Sequence, residues 1–449
     1  MKIHKKPIVV KDPNLSNSWL MDKFSILKID DIAKDCGFIQ PLRKLDPASM
    51  LMGFFIARLS NDFSLSNWAL QLDRHFGIGI SKQGIWNRLT GTYSDFLERV
   101  LFQAIKVDLT SYRGVELCQG VLKGFNRVLL HDSTTIGLPD VLRTFFKGNH
   151  SRGKIKSLAK IQAIVDLKSN RFVHLELGEY AKNDQKASSD ILSILQPGDL
   201  VIRDLGYFVL DSIAKIIKAQ GFLISKLRYG VVLYHRDGSK LDLIKQLKDT
   251  PTLDSKILAG KDKIPLRLVV NPVDQQIAQQ RRRKAKKDRD KRKNHSEAYY
   301  FLLGYDIHIT NLDQNRYDTK TIGQLYRLRW RIETIFKAWK SHLKLNDTIH
   351  FNLKCAHKAR IMIYSCLILS TLVQMGIYSH YCKTIYKKTK KCLSMIKFTQ
   401  VLKRNPLWIL QSRIYDPEME NAMIRHCCYE KRVKRMNFLE KMFLIQSLN

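Results

Sequence analysis

The chain is short of acidic residues for its cationic content: 41 Asp and Glu stand against 77 Lys and Arg in 449 residues, a formal charge of +36. The excess runs along the whole chain and is not confined to a tail, so it points to a polyanionic partner, most simply nucleic acid. Any metal-binding cysteine pattern is also missing. The eight cysteines include no CxxC pair and no Cys/His spacing of a structural zinc site, and they read as reduced thiols. The opening MKIHKKPIVV carries charge but no apolar stretch of signal-peptide length, so nothing in it directs export and a cytoplasmic protein is expected. Long hydrophobic runs are absent apart from 361–378, which Ser365, Ser370, Thr371 and Gln374 interrupt, the texture of a buried helix more than of a membrane span. With 45% hydrophobic residues general disorder is excluded, and the length suits about two to four domains.

Residues 1–115 read as a helical DNA-binding region. Within it SNWALQLDRHFGIGISKQGIWNRLT (66–90) divides into a helix, a break at Gly77 and Gly79, and a second helix that Ser81 can cap. That is compatible with a helix-turn-helix offering Lys82, Gln83, Asn87 and Arg88 to DNA, and equally with any two helices joined by a glycine turn. From about residue 125 strands alternate with helices: RVLLH, KIQAIVDLK and RFVHLEL, a helical stretch over 184–195, the strand LVIR, and a helix after Gly206. This is an α/β layered core, read over 116–215 and resumed over 316–375. Between them 216–315 reads as a β-rich insertion, with strands at FLISKL, VVLYH, PLRLVV and YYFLLGYDIHIT. Into it falls RRRKAKKDRDKRK (281–293), which has no apolar face; it suits a solvated segment or a phosphate-neutralising one. The remainder, 376–449, is helical and basic.

The segment YRLRWRIETIFKAWK (326–340) contains no Gly or Pro and predicts a single helix. At about 100° per residue, Tyr326, Arg329, Glu333 and Lys340 fall within roughly 60° of one another, opposite an apolar stripe of Leu328, Ile332, Ile335 and Trp339. Such a face is either a solvated surface with an i,i+4 ion pair, or a mount that fixes a carboxylate between cations. Two aspartates weigh on the choice. Asp132 follows the strand RVLLH and Asp204 follows LVIR, and ligand-facing groups of α/β cores gather at strand carboxyl ends. Either alone suits a turn or cap. Together with Glu333 they make three carboxylates on two strand ends and a facing helix, an oxygen donor set suited to a pair of magnesium ions in phosphoryl displacement. Asp166, Asp190 and Asp199 do not end a strand opposite that helix.

The spacing Tyr326-x2-Arg329-x3-Glu333-x6-Lys340 resembles the YREK signature of DDE transposases in the bacterial insertion-sequence-four family, matching it at all four positions. Asp132 in HDSTT resembles the family's first catalytic aspartate, Asp204 in IRDLGYF its second, and Thr310, Asn311 and Leu312 its lead-in to the signature. The resemblance covers about 125–350. It implies a ribonuclease-H-like catalytic core, with Asp132, Asp204 and Glu333 as the catalytic, metal-holding residues and Tyr326, Arg329 and Lys340 as DNA contacts. It also implies two Mg2+ ions, for which Mn2+ can substitute. The partners would be terminal inverted repeats and target DNA, bound by a homodimer in the synaptic complex, in a bacterial, nucleoid-associated setting. Some relatives pass through a DNA hairpin with an aromatic of the insertion capturing a flipped base; the insertion here has no Trp, leaving Tyr229, Tyr234 or Tyr300. Two other functions keep the same motifs: a transposase-derived regulator without catalysis, and a metal-dependent nuclease that cuts without joining.

Overall fold

The computed structural model describes residues 15, 18–38, 45–60, 63–107, 120–151, 154–287, 295–343, 345, 355–411 and 416–430. Among the described residues, helices α1 (Trp19–Ile26), α2 (Ile29–Asp35), α3 (Pro47–Leu59), α4 (Leu65–Phe76), α5 (Lys82–Arg88) and α6 (Gly91–Lys106) precede the sheet. Their starts are set by short polar side chains that accept a backbone N–H from the first turn, Ser64 at α4, Ser81 at α5 and Thr90 at α6. Gly77 ends α4 at φ +68°, a left-handed position that costs glycine nothing, so the break expected between α4 and α5 is there.

Ten strands form one sheet: β1 (Val128–Leu138), β2 (Lys147–Ser151), β3 (Lys154–Asp166), β4 (Arg171–Glu179), β5 (Leu200–Arg203), β6 (Phe222–Lys226), β7 (Leu233–Tyr234), β8 (Leu253–Ala259), β9 (Ile264–Pro272) and β10 (Tyr305–Thr310). β4, β3 and β1 make an antiparallel meander, and β5 and then β6 add to β1 in parallel. This is the ribonuclease-H-like core that the resemblance implies, with α7 (Leu210–Lys218) crossing from β5 to β6. Beyond β6 the order continues β10-β9-β8-β7, all antiparallel, so the additional strands extend the core sheet from its β6 edge. Strand alternation divides the core between two faces. Leu130, Ile136, Ala163, Val165, Phe172 and Ile202 join one apolar cluster, while Leu129, Ile164 and Val201 join another on the opposite face.

Several local readings need correction. YYFLLGYDIHIT is not all strand: Ser296 caps a short helix through Tyr299 N, and only Tyr305–Thr310 is extended. The helical stretch expected over 184–195 is a run of 3-10 turns, Lys186–Ser193. There the Ser188 carbonyl is taken by Arg203 Nη1 (2.7 Å) and Ser212 Oγ (2.7 Å), which diverts an α-helical acceptor. β8 has no counterpart among the expected strands. The basic run is partly seen: α8 (Leu243–Asp249) and β8–β9 lead into α9 (Gln275–Lys286), and residues 288–293 lie outside the described residues.

The short helix α10 (Glu297–Leu302) leads into β10, and after β10 come α11 (Thr319–Arg327) and α12 (Trp330–Ser341). The apolar segment follows as α13 (Ala356–Leu372), continued by a π-helical turn over Val373–Tyr378, and its most apolar stretch is wholly buried inside the fold. α6 packs along α13, where Tyr364 Oη donates to Glu98 at 2.7 Å. Arg171 at the start of β4 donates to the Ile105, Lys106 and Val107 carbonyls at the end of α6, a cation on the negative pole of that helix. These contacts tie the N-terminal helices to the sheet.

Candidate active site

Sequence reading treats Asp132 as a strand end, but β1 continues six residues past it to Leu138. What ends is the parallel pairing: His131↔Arg203 is the last β1–β5 pair, so Asp132 and Asp204 each stand one residue beyond it on adjacent strands. By alternation both point to the face of Leu130 and Ile202, against which α12 lies.

The helix opposite is also not single. Between Tyr326 and Ile332 the bonds tighten to i→i−3, with Leu328 N donating to Leu325 O, Arg329 N to Tyr326 O and Arg331 N to Leu328 O, which separates α11 from α12. Leu328 stays buried at the break, and Ile332, Ile335 and Trp339 are buried along α12, as the stripe predicts. Trp339 packs on Phe172 of β4 at 5.2 Å between ring centroids. At roughly 1.5–3 kcal/mol for each fully buried large apolar side chain, this stripe holds α12 to the sheet far more firmly than its surface charges could.

Arg329, at the break, brings the three predicted carboxylates together. Its Nη1 lies 3.3 Å from Asp132 Oδ2, and its Nη2 lies 3.8 Å from Asp204 Oδ1 and 2.7 Å from Glu333 Oε1. Asp132 also accepts the Ser133 amide at 2.8 Å. One guanidinium against three carboxylates leaves the site short of positive charge. Burial, reinforced by the Asp204 and Glu333 charges and opposed by the Ser133 amide and Arg329, pushes the Asp132 carboxyl up to about 7. Oxygen donors alone and under-neutralised suit hard divalent cations, but among the described residues only His174, Glu176 and Asp190 offer ligand atoms all within 4.8 Å of one another.

The other two signature residues stand differently. Tyr326 is buried on α11, its ring 4.8 Å from that of His308, with Lys226 Nζ and the Arg329 guanidinium carbon 5.7 and 5.9 Å from its centroid. Lys340, two turns beyond Glu333, is half-buried and has no carboxylate partner among the described residues, and burial lowers its ammonium pKa.

Sequence reading missed two further residues of the site. Lys226 ends the parallel strand β6 as Asp204 follows β5; it sits near Asp204 and 3.9 Å from Asp306. The strand-end rule that found Asp204 would have found it had cations been sought as well as carboxylates. Asp184 accepts Ser133 Oγ at 2.9 Å and pairs with Lys160 at 2.7 Å, and its Oδ2 would stand 2.9 Å from a Cβ placed on Gly206. It thus braces the chain beside both Asp132 and Asp204, and no local pattern announces it.

The rejected carboxylates have structural partners. Asp166 accepts the Val128, Lys168 and Ser169 amides, and Asp199 pairs with Arg127. A different cluster, His174, Glu176 and Asp190, offers metal-compatible atoms within 4.8 Å of one another. Lys182 already lies 2.8 Å from both of its carboxylates, so that cluster carries its own cation. In the insertion, Arg281 pairs with Asp306 at 2.7 Å and Arg282 donates to the Tyr300 carbonyl, leaving Arg283, Lys284 and Lys286 exposed on α9.

The relatives of the chain are insertion-sequence proteins. It is 26% identical over 396 residues to the transposase for insertion sequence element IS231B of Bacillus thuringiensis subsp. berliner, covering 82% of this chain and 80% of that protein. It is 24% identical over 385 residues to the transposase for IS1151 of Clostridium perfringens, with 80% and 79% covered. Among solved structures, the piggyBac transposase in its synaptic complex with hairpin DNA aligns with 96% of this chain and 86% of its own, at a TM-score of 0.45 and 10% identity. The family model described as transposase DDE domain matches residues 123–372, which hold β1, β5, α12 and all three carboxylates. More than half of its length falling within that match, the chain belongs to the DDE transposase family.

Proposed function

We propose that the protein binds the terminal inverted repeats of an insertion sequence and catalyses metal-dependent cleavage and strand transfer at their ends. The observation that carries this reading is the gathering of Asp132, Asp204 and Glu333, from two adjacent strands and a facing helix, around one cation. These carboxylates would hold two Mg2+ ions, or Mn2+ in their place. When bound, such ions activate a water or a 3′-hydroxyl and stabilise the leaving oxygen of an in-line displacement. The chain's own residues hold the reacting groups. Asp132 projects from β1, Asp204 follows the neighbouring strand β5, and Glu333 stands on a helix pinned by Ile332, Ile335 and Trp339, so the donor set needs little reorganisation. Ser133 N fixes one oxygen of Asp132 and leaves the other facing the site.

Lys340, which has no carboxylate partner among the described residues, and the exposed cations of α9 grip the phosphate backbone, while Tyr326 is the buried wall against which Arg329 and Lys226 are set. A homodimer would hold the two element ends in one synaptic complex. The test is a joining assay: purified protein with Mg2+ and a duplex ending in the element's inverted repeat nicks that end and joins its 3′-hydroxyl to target DNA. Cleavage without joining would instead indicate a nuclease, and repeat binding without either reaction a regulator.

A further inference from the structure

The position of Arg329 does not suit a residue that only grips DNA. Its guanidinium touches a carboxylate from β1, one following β5 and one on α12, and its side chain is 12% exposed. It fills the space the three carboxylates share, and the metal reading above assigns that space to divalent ions. Carboxylate oxygens binding Mg2+ approach it to about 2.0–2.1 Å in a near-octahedral shell that keeps several waters. A guanidinium 2.7 Å from Glu333 Oε1 and 3.3 Å from Asp132 Oδ2 competes for their lone pairs, and with Asp204 Oδ1 at 3.8 Å it repels the incoming charge at all three.

We propose that Arg329 is the resident counter-cation of the triad, displaced when metal enters and thereby released to the DNA phosphates. This rests on the proposed metal site and adds an order of events to it. Arg329 is placed to do so: it sits at the junction of α11 and α12, its backbone is held by the i→i−3 bonds, and only its side chain need turn. The Tyr326 ring, 5.9 Å from the guanidinium, offers a cation–π surface along which it can move. Before metal binds, the arginine keeps three like charges together; afterwards its charge is free for a phosphate. Metal and DNA then favour each other without touching the same atom, a coupling between sites in the thermodynamic sense.

The alternative is that Arg329 is scaffolding that holds the carboxylates in place, and the two readings predict opposite signs. Mn2+ binding is measured by titration calorimetry on the full chain without DNA, for wild type, Arg329→Gln, Arg329→Lys and, as the control for site-specific binding, Asp204→Asn. The expected result is that Arg329→Gln binds Mn2+ about tenfold tighter or more, equivalent to about 1.4 kcal/mol. Mn2+ would also raise its melting temperature by more than that of wild type. Arg329→Lys, whose single ammonium cannot reach all three carboxylates, should fall between the two, and it reports the same sign should the glutamine variant fail to fold. Equal or weaker binding by the folded Arg329 variants, with Asp204-dependent binding intact in wild type, overturns this proposal alone. Absence of any Asp204-dependent Mn2+ binding overturns the metal assignment and this proposal with it.

Discussion

The two faces of the central sheet carry charge in opposite ways, although β1, β3 and β5 contribute to both. On the face away from α12, carboxylates are matched to cations: Asp184 to Lys160 at 2.7 Å, and Glu176 and Asp190 to Lys182 at 2.8 Å. Buried bases there have no such matching. Arg203, with no carboxylate partner among the described residues, is lowered to about 10 by burial, and His131, packed 4.0 Å from the Tyr207 ring, is held well below its ordinary value by burial and nearby cations. On the α12 face, three carboxylates share one guanidinium. Matched charge is what a structural layer tolerates. A surplus of acid at strand ends is what a cation-binding site needs, and mutation should separate the two.

The largest effect is expected on chemistry. Asp132→Ala, Asp204→Ala and Glu333→Ala should each lower cleavage and joining by about a thousandfold or more, with repeat binding retained in a gel-shift assay. None should destabilise the fold greatly, because each removes one of three like charges that share a single guanidinium. Lys160→Met should do the reverse. It strands Asp184 beside Gly206 and Ser133 and should cost about 3 kcal/mol in urea unfolding, since a largely buried pair is broken.

The pH dependence of stability should also differ in sign between the faces. Asp132 titrates near 7 when folded against an ordinary 3.8, so the stability it confers is complete below about pH 4 and is lost as pH rises through 7. Asp132→Asn should therefore be more stable than wild type at pH 8 without metal, by an amount on the order of 2 kcal/mol, and equal to it at low pH. His131 is depressed below 6.5, so its contribution is present above 6.5 and is lost as pH falls. His131→Phe should flatten the acid side of the profile and leave the alkaline side unchanged. The smallest effect is on DNA: Lys340→Ala should weaken binding less than about tenfold and reduce the salt slope by about 1.

How much of this could be read from residues alone follows from the range of the interactions. The strands β1, β3, β4 and β5 and the carboxylates beside them were legible because alternation is a local pattern, whereas β6, read as part of the insertion, pairs in parallel with β5, and pairing order is not local. The stripe of Ile332, Ile335 and Trp339 was legible for the same reason. The break at Leu328–Arg329 was not, since no glycine or proline marks it; it depends on Leu328 being held in the core while Arg329 turns to three carboxylates. Tyr299–Leu302 misled because aromatic and aliphatic residues suit strands, and only the cap at Ser296 favours a helix. Asp184 was illegible because its partners Ser133, Lys160 and Gly206 come from separate elements. The central role of Arg329 needed the sheet and the helix together, for spacing alone makes it only a neighbour of Glu333.

Two acidic clusters compete for a divalent metal, and which of them responds decides where the active site lies. Thermal unfolding should be followed with and without Mn2+ for wild type, Glu333→Gln and Glu176→Gln. Mn2+ should raise the melting temperature of wild type and Glu176→Gln alike and leave Glu333→Gln unmoved. A rise that survives in Glu333→Gln and vanishes in Glu176→Gln would place the metal at His174, Glu176 and Asp190 and contradict its assignment to Asp132, Asp204 and Glu333.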